Sequence, residues 1–257
     1  MNVEVHEGLV SKDVVLIHGN LASNTWWQPA LEEWRKNKRP GQAGRLIMGE
    51  WRGCGKSSHP EQESDLEISK MAKDYLNLLE HMKIQSAHLV GHSTGGLIGI
   101  TAMSLSPERF DRAVLLDPVG MNGVQFGPEM YGAFTQMSQD REFCSAIMSA
   151  TIHGNDPLSP FFQKIVDDAF AVAPVNWHGI PNVLNQFKLA PKDLESIDSP
   201  VLVLHGEHDN VLAKEESVQL AGALKNGRFE ELSGQGHSTN VENPERFVQM
   251  VNQFLFS

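Results

Sequence analysis

Three stretches of this chain, Val14–Ile17, Ala113–Leu116 and Val201–Leu204, are apolar at every position. A strand with one wet face alternates apolar and polar side chains, whereas a strand covered on both faces has no reason to. Runs of this kind belong to a parallel sheet sandwiched between helices. Arg45-Leu46-Ile47-Met48 and Ala87-His88-Leu89-Val90 read as two further strands, and Arg228 to Leu232 as a weaker, edge-like one.

Between the strands the period changes. Ser23 and Asn24 can cap a segment in which Trp27, Leu31 and Trp34 recur at helical spacing. Ser64-Asp65-Leu66-Glu67 has the form of a capping box, and Ile68, Met71, Ala72, Tyr75, Leu79 and Met82 follow on one helical face. From Thr94 to Leu105 the chain is apolar nearly all round, which predicts a helix buried on most sides. The last helix starts at Asn243-Pro244, a cap followed by proline in the first turn. Strands alternating with helices through short links give an α/β fold with a mostly parallel sheet and helices on both faces.

The rhythm stops between Gly120 and about Ser196. No strand is evident there, and helix-like segments are divided by Gly127-Pro128, Asn155-Asp156-Pro157, Ser159-Pro160 and Ile180-Pro181. We expect a helical cap inserted at 121–196 into a core made of 1–120 and 197–257. Phe161, Phe162, Phe170 and Trp177 fall within it, and Trp177 is the candidate to line an acyl pocket.

Composition narrows the partners. The net charge is −11, and the only short basic cluster is Arg35, Lys36, Lys38 and Arg39, which reads as a solvated helix end. Nucleic acid and anionic membrane surfaces are therefore not expected partners. Two cysteines, Cys54 and Cys144, are too few for a disulfide framework or a cysteine zinc site. Free thiols, no visible signal peptide and no apolar run of spanning length make a cytoplasmic location the expectation.

The chemistry gathers at the strand ends. Gly91-His92-Ser93-Thr94-Gly95 is a G-x-S-x-G sequence, and it stands between a buried strand and a buried helix. A tight turn there projects the Ser93 hydroxyl from the sheet top, above a helix N-terminus that favours developing negative charge. Serine needs a base, and His237, between glycine and serine on the loop before the last helix, can reach over the sheet. His92 adjoins the nucleophile, but an elbow is expected to turn its side chain away. His205 and His208 form a single H-x-x-H with no further ligand pattern, so no metal is expected. Two acids could orient the histidine: Asp209, after strand 201–204, and Asp117, after strand 113–116. Asp209 has the shorter expected reach. Oxyanion donors should be the N–H of Thr94 and that of Asn20 in the turn after the first apolar strand, with Leu21 the neighbouring alternative. Gly55-Lys56-Ser57 is no phosphate loop, because Glu50 stands where such a loop needs glycine.

Taken together, His18-Gly19-Asn20, Arg52-Gly53-Cys54-Gly55-Lys56-Ser57, the Ser93 elbow, Gly206-Glu207-His208-Asp209, and Gly236-His237 with Glu242-Asn243-Pro244-Glu245 beyond it resemble the α/β-hydrolase family over nearly the whole chain. The resemblance implies the α/β-hydrolase sandwich, a catalytic triad of Ser93, Asp209 and His237, a helical lid and no cofactor. Relatives often carry Asp before the Trp-Arg-Gly turn; here it is Glu50. The expected activity is hydrolysis of a small carboxylic ester or lactone. The same triad also resembles that of carbon–carbon bond hydrolases and cofactor-free perhydrolases, and the fold can carry a ligand receptor.

Overall fold

In the computed structural model, which describes residues 1–257, the apolar runs lie at the centre of a seven-stranded sheet. The strands are β1 (Asn2–Val10), β2 (Val14–Ile17), β3 (Gly44–Glu50), β4 (Ala87–His92), β5 (Phe110–Leu116), β6 (Val201–Gly206) and β7 (Gly227–Leu232). Their spatial order is β1-β3-β2-β4-β5-β6-β7. Only β1 runs antiparallel, pairing with β3; every other pair is parallel.

Each central strand feeds two cores. Val14 and Leu16 pack with Val90, Val114 and Leu202 on one face, while Val15 and Ile17 pack with Leu89, Leu115 and Val203 on the other. The first face is closed by α1 (Gln28–Lys36), through Leu31 and Trp34, and by the C-terminal helix, through Phe247 and Val251. The second is closed by α2 (Ile68–His81) and α3 (Thr94–Leu105). Period-two side chains divided between two apolar layers leave no wet face, which is why the runs show no alternation.

Between β5 and β6 the chain forms helices only: α4 (Pro128–Met137), α5 (Arg141–Ser149), α6 (Pro160–Phe170), α7 (Asn176–Gln186) and the short α8 (Pro191–Leu194). Two of the breakers read from the sequence act as helix starts, whereas Asn155-Asp156-Pro157 lies in the connection between α5 and α6 and Pro181 sits inside α7, which runs through it undivided. Pro128 opens α4, and the Ser159 hydroxyl accepts the Phe162 amide at the head of α6 with Pro160 at its first position. After β6 come α9 (Lys214–Ala223), β7, α10 (Thr239–Glu242) and α11 (Pro244–Leu255), where Asn243 caps α11 through the Arg246 amide. No helix is long and apolar enough to cross a membrane.

Two local expectations are corrected. Ser64 does not cap α2; residues Glu63–Leu66 form a separate 3-10 turn, and the reciprocal cap there joins Gln62 and Asp65. The Asp65 carboxylate takes up the Glu61 and Gln62 amides, closing the turn one residue before α2 can begin. The first strand, β1, was not evident in the sequence. It pairs on one edge only, its side chains are mostly half-exposed, and Gly8 at φ +69° interrupts it.

Candidate active site

Ser93 sits between β4 and α3 with φ +55° and ψ −124°, a backbone conformation rarely adopted by a residue with a side chain. The flanking glycines make that turn possible. A Cβ on Gly91 would lie 2.7 Å from the Gly95 carbonyl oxygen, and one on Gly95 would collide with the carbonyl oxygens of Ile17 and His18. The turn is clamped from outside: the Ser93 amide donates to Leu116 O at 2.9 Å, and the Ser93 carbonyl accepts from Gly96 and Val119 at 2.9 and 3.2 Å. The Ser93 hydroxyl has no protein hydrogen-bond partner and is free to turn toward a base or a substrate.

His237 and Asp209 meet directly. His237 Nδ1 is 2.8 Å from Asp209 Oδ2, and the Asp209 side chain is fully buried. The other Asp209 oxygen accepts the amides of Val211 and Leu212 at 2.7 and 3.1 Å. Burial alone would raise the carboxyl, but the hydrogen bond and charge of His237, with those two amides, outweigh it and hold Asp209 below the usual carboxylate range. Asp117, the other candidate acid, accepts from the Gly206 amide at 2.8 Å and makes no bond to His237.

Two further residues fix the histidine. The Glu242 carboxylate accepts the amides of Gly236 at 2.6 Å and Ser238 at 3.0 Å, the neighbours of His237 on either side. It also accepts the His153 amide at 2.9 Å, from the connection between α5 and α6. His92 does not turn away from the site as expected. Its Nε2 donates to the His237 carbonyl at 2.8 Å, and the two rings lie 4.9 Å apart. Burial pushes His92 down to about 3, so the ring is neutral and acts as a spacer. A histidine beside Ser93 was the available signal; its partner lay 145 positions away.

On the far side of Ser93, the turn after β2 brings up Gly19, Asn20 and Leu21. A Cβ on Gly19 would lie 3.1 Å from that of Ser93, so the loop passes close by. The N–H groups of Asn20 and Leu21 donate to no protein acceptor. Thr94 is the first residue of α3, and its N–H has no partner within its own helix. His18 shapes this loop: it stacks on Trp51 at 5.4 Å and 19°, while Trp51 Nε1 donates to the His18 carbonyl at 3.1 Å.

Ser93, Thr94, Asn20 and His237 line one cavity of about 280 Å³. Fifteen of its 23 lining residues are hydrophobic, and none is Asp, Glu, Lys or Arg. The apolar wall comes largely from the helical segment, with Phe126, Phe134, Met137 and Met148 prominent.

Residues 13–244 match the α/β-hydrolase fold family. The chain belongs to that family. Over 249 residues it is 27% identical to carboxylesterase YbfK of Bacillus subtilis (strain 168), covering 94% of this chain and 79% of that protein. It is 25% identical to the 2-hydroxymuconate semialdehyde hydrolase of Pseudomonas putida over 84% of this chain and 79% of that one. The crystal structure of the enol-lactonase from Burkholderia xenovorans LB400 superposes with a TM-score of 0.83 at 21% identity, covering 100% of this chain and 96% of that one. That likeness shows the fold.

Other sequence candidates of this α/β-hydrolase fall outside the cavity. Trp177 is not among the lining residues. It is buried in the main core near the start of α7, as are Phe162 fully and Phe161 and Phe170 in part. α7 packs against the Glu63–Leu66 turn, which draws Trp177 to the core, while α4 and α5 supply most of the helical wall of the cavity. Glu50 finds full use: its carboxylate accepts the amides of Asn24 and Lys56 and the Asn2 side chain. His205 and His208 diverge. His208 lies against His153, while His205 points inward to Ser217. Both cysteines are buried and unpaired, and burial pushes both thiols up.

Proposed function

We propose that this α/β-hydrolase cleaves an uncharged, largely apolar carboxylic ester or lactone through an acyl-enzyme. Ser93 Oγ attacks the carbonyl carbon, and its proton passes to His237 Nε2. Asp209 holds the opposite nitrogen, fixing the tautomer and stabilising the imidazolium. The amides of Thr94 and Asn20, with Leu21 beside it, receive the oxyanion. Collapse breaks the ester bond, His237 returns the proton to the leaving alcohol, and water repeats the sequence to free the acid. Segment 121–196 serves as the cap that supplies the apolar wall.

One observation carries the choice of substrate: the cavity holding Ser93 and His237 has no charged side chain of Asp, Glu, Lys or Arg in its lining. A carboxylate-bearing substrate, as in the name of the semialdehyde hydrolase relative, would be buried there with no cation to receive it, which costs several kcal/mol or more. A neutral ester brings no such charge into the cavity.

The test is a matched panel of neutral p-nitrophenyl esters and dicarboxylate vinylogous ketones, run on wild type and Ser93→Ala. Steady turnover of the esters, a fluorophosphonate adduct at Ser93 alone, and no turnover by the variant are expected. Preferred cleavage of the charged ketones would overturn the substrate reading. A single turnover with retained product would make the chain a receptor.

A further inference from the structure

Behind the His237–Asp209 pair lies a second carboxyl group that the reaction does not use directly. Asp117 follows β5, has φ +42° and is 0% exposed. Carboxylate or ring atoms of Asp117, His205 and Asp209 all lie within 4.8 Å of one another, which sets the two carboxyl groups side by side. We propose that Asp117 is a positioning residue, a buried neutral carboxylic acid that donates a hydrogen bond to the Asp209 carboxylate and so holds it in line with His237. This builds on Asp209 as the triad acid.

The donors each carboxyl group already receives differ, and with them the need for a proton. Two dry carboxyl groups this close cannot both carry charge, so the pair holds one proton. Asp209 already receives three N–H donors, from Val211, Leu212 and His237. Asp117 receives one, the Gly206 amide on Oδ1, and its Oδ2 is buried without a partner. A proton on Oδ2 removes that orphan and supplies Asp209 with a fourth donor. The groups facing Asp117 agree. On β6, His205 Nδ1 stands 3.4 Å from Asp117 Oδ1 and 3.0 Å from the Ser217 hydroxyl of α9, and burial keeps that ring neutral. Burial disfavours a charge on Asp117 most strongly, and the neighbouring carboxyl groups of Asp209 and Glu242 act in the same direction.

A neutral acid here also spares the His237 imidazolium a further negative charge behind Asp209. Such a charge would strengthen its hold on the proton that must go to the leaving alcohol.

Asparagine carries the same pattern, one acceptor for Gly206 and one donor for Asp209; alanine carries neither. Asp117→Ala should lower kcat for a neutral ester at least tenfold with KM unchanged and shift the acid limb of the kcat profile. Asp117→Asn should restore most of the rate and the wild-type profile. A hundredfold loss in folded Asp117→Asn would overturn the proposal, because it would mean that the charge is needed. Difference infrared spectroscopy tests the proton without any turnover. The carbonyl stretch of a protonated Asp should persist in wild type at pH 8 and vanish in Asp117→Asn. Its absence from wild type would refute the proposal even if ester hydrolysis by Ser93 is established, and its presence would stand if that activity is not found.

Discussion

Acidification from pH 7 to pH 5 sets two kinds of buried group in this fold against each other. His18 and His92 are inside the protein, and desolvation holds them down to about 4 and about 3. An unfolded histidine titrates near about 6.5. Folded-state values below the unfolded one mean that the stability these rings contribute is complete above about pH 6.5. It is lost as pH falls, because the unfolded chain binds protons that the folded chain refuses. At about 1.4 kcal/mol per pH unit per proton, each ring costs about 2 kcal/mol between pH 7 and 5, or about 4 kcal/mol for the two. His6, His88 and His205 are also shifted down and add to this. Asp117 has the opposite sign. Its folded value is raised, chiefly by burial, so the folded state keeps a proton that the unfolded state has released, and stability rises as pH falls. Urea unfolding followed by circular dichroism at half-unit intervals reads the balance. His92→Gln should flatten the acid loss by about 2 kcal/mol over the window, and Asp117→Asn should steepen it by up to one proton's worth, about 1.4 kcal/mol per pH unit. Identical slopes in wild type and His92→Gln would show that His92 is not held neutral, and the spacer role assigned to it would fall with that result.

Removing the charge of Asp209 without changing its size should cost two to four orders of magnitude in kcat, since asparagine at a triad acid favours the wrong imidazole tautomer; steady-state kinetics on one neutral ester, with KM nearly constant, checks it. Phe134→Ala enlarges the cavity and should shift preference toward longer acyl chains, whereas Trp177→Ala should leave preference alone, and since both side chains are buried in the main core each should cost about 3–5 kcal/mol in urea unfolding; a changed preference in Trp177→Ala with none in Phe134→Ala would move the pocket to α7. Gly95→Ala should destabilise by on the order of 4 kcal/mol or more, because its Cβ meets two backbone oxygens that cannot rotate away; a soluble variant of normal Tm would refute the packing described for the elbow.

The architecture was readable because its cause is local. Val14–Ile17, Ala113–Leu116 and Val201–Leu204 each carry both faces of the sheet in their own side chains, and the α3 helix read from Thr94 to Leu105 has those limits in the structure. The elbow was readable for the same reason, since only glycine fits at 91 and 95. What escaped depends on distant partners. His92 finds the His237 carbonyl across the sheet top, and nothing within a few residues of His92 announces it. The pocket wall also escaped: aromatic content pointed to Trp177, but which face of a helix meets the cavity depends on how α4 and α5 lie over the sheet. Asp209 and Asp117 were both placed by strand topology, and which of them contacts His237, Asp209 at 2.8 Å, is visible only in the structure.

Glu242 has a mechanical consequence. Its carboxylate ties the loop of His237 to the His153 amide, and the Ser238 hydroxyl adds a bond to the Thr151 carbonyl at 2.8 Å, so the middle of the helical segment is fastened to the residues that aim His237. A hinged swing of the whole segment would break these bonds, at about 1 kcal/mol each, and would misalign His237 as it opened. Traffic into the cavity is cheaper by rotamer change at its rim, where Met130 and Val211 are already 40% and 45% exposed. Opening then needs nanoseconds of side-chain motion instead of a slower domain movement, and His237 keeps its orientation meanwhile.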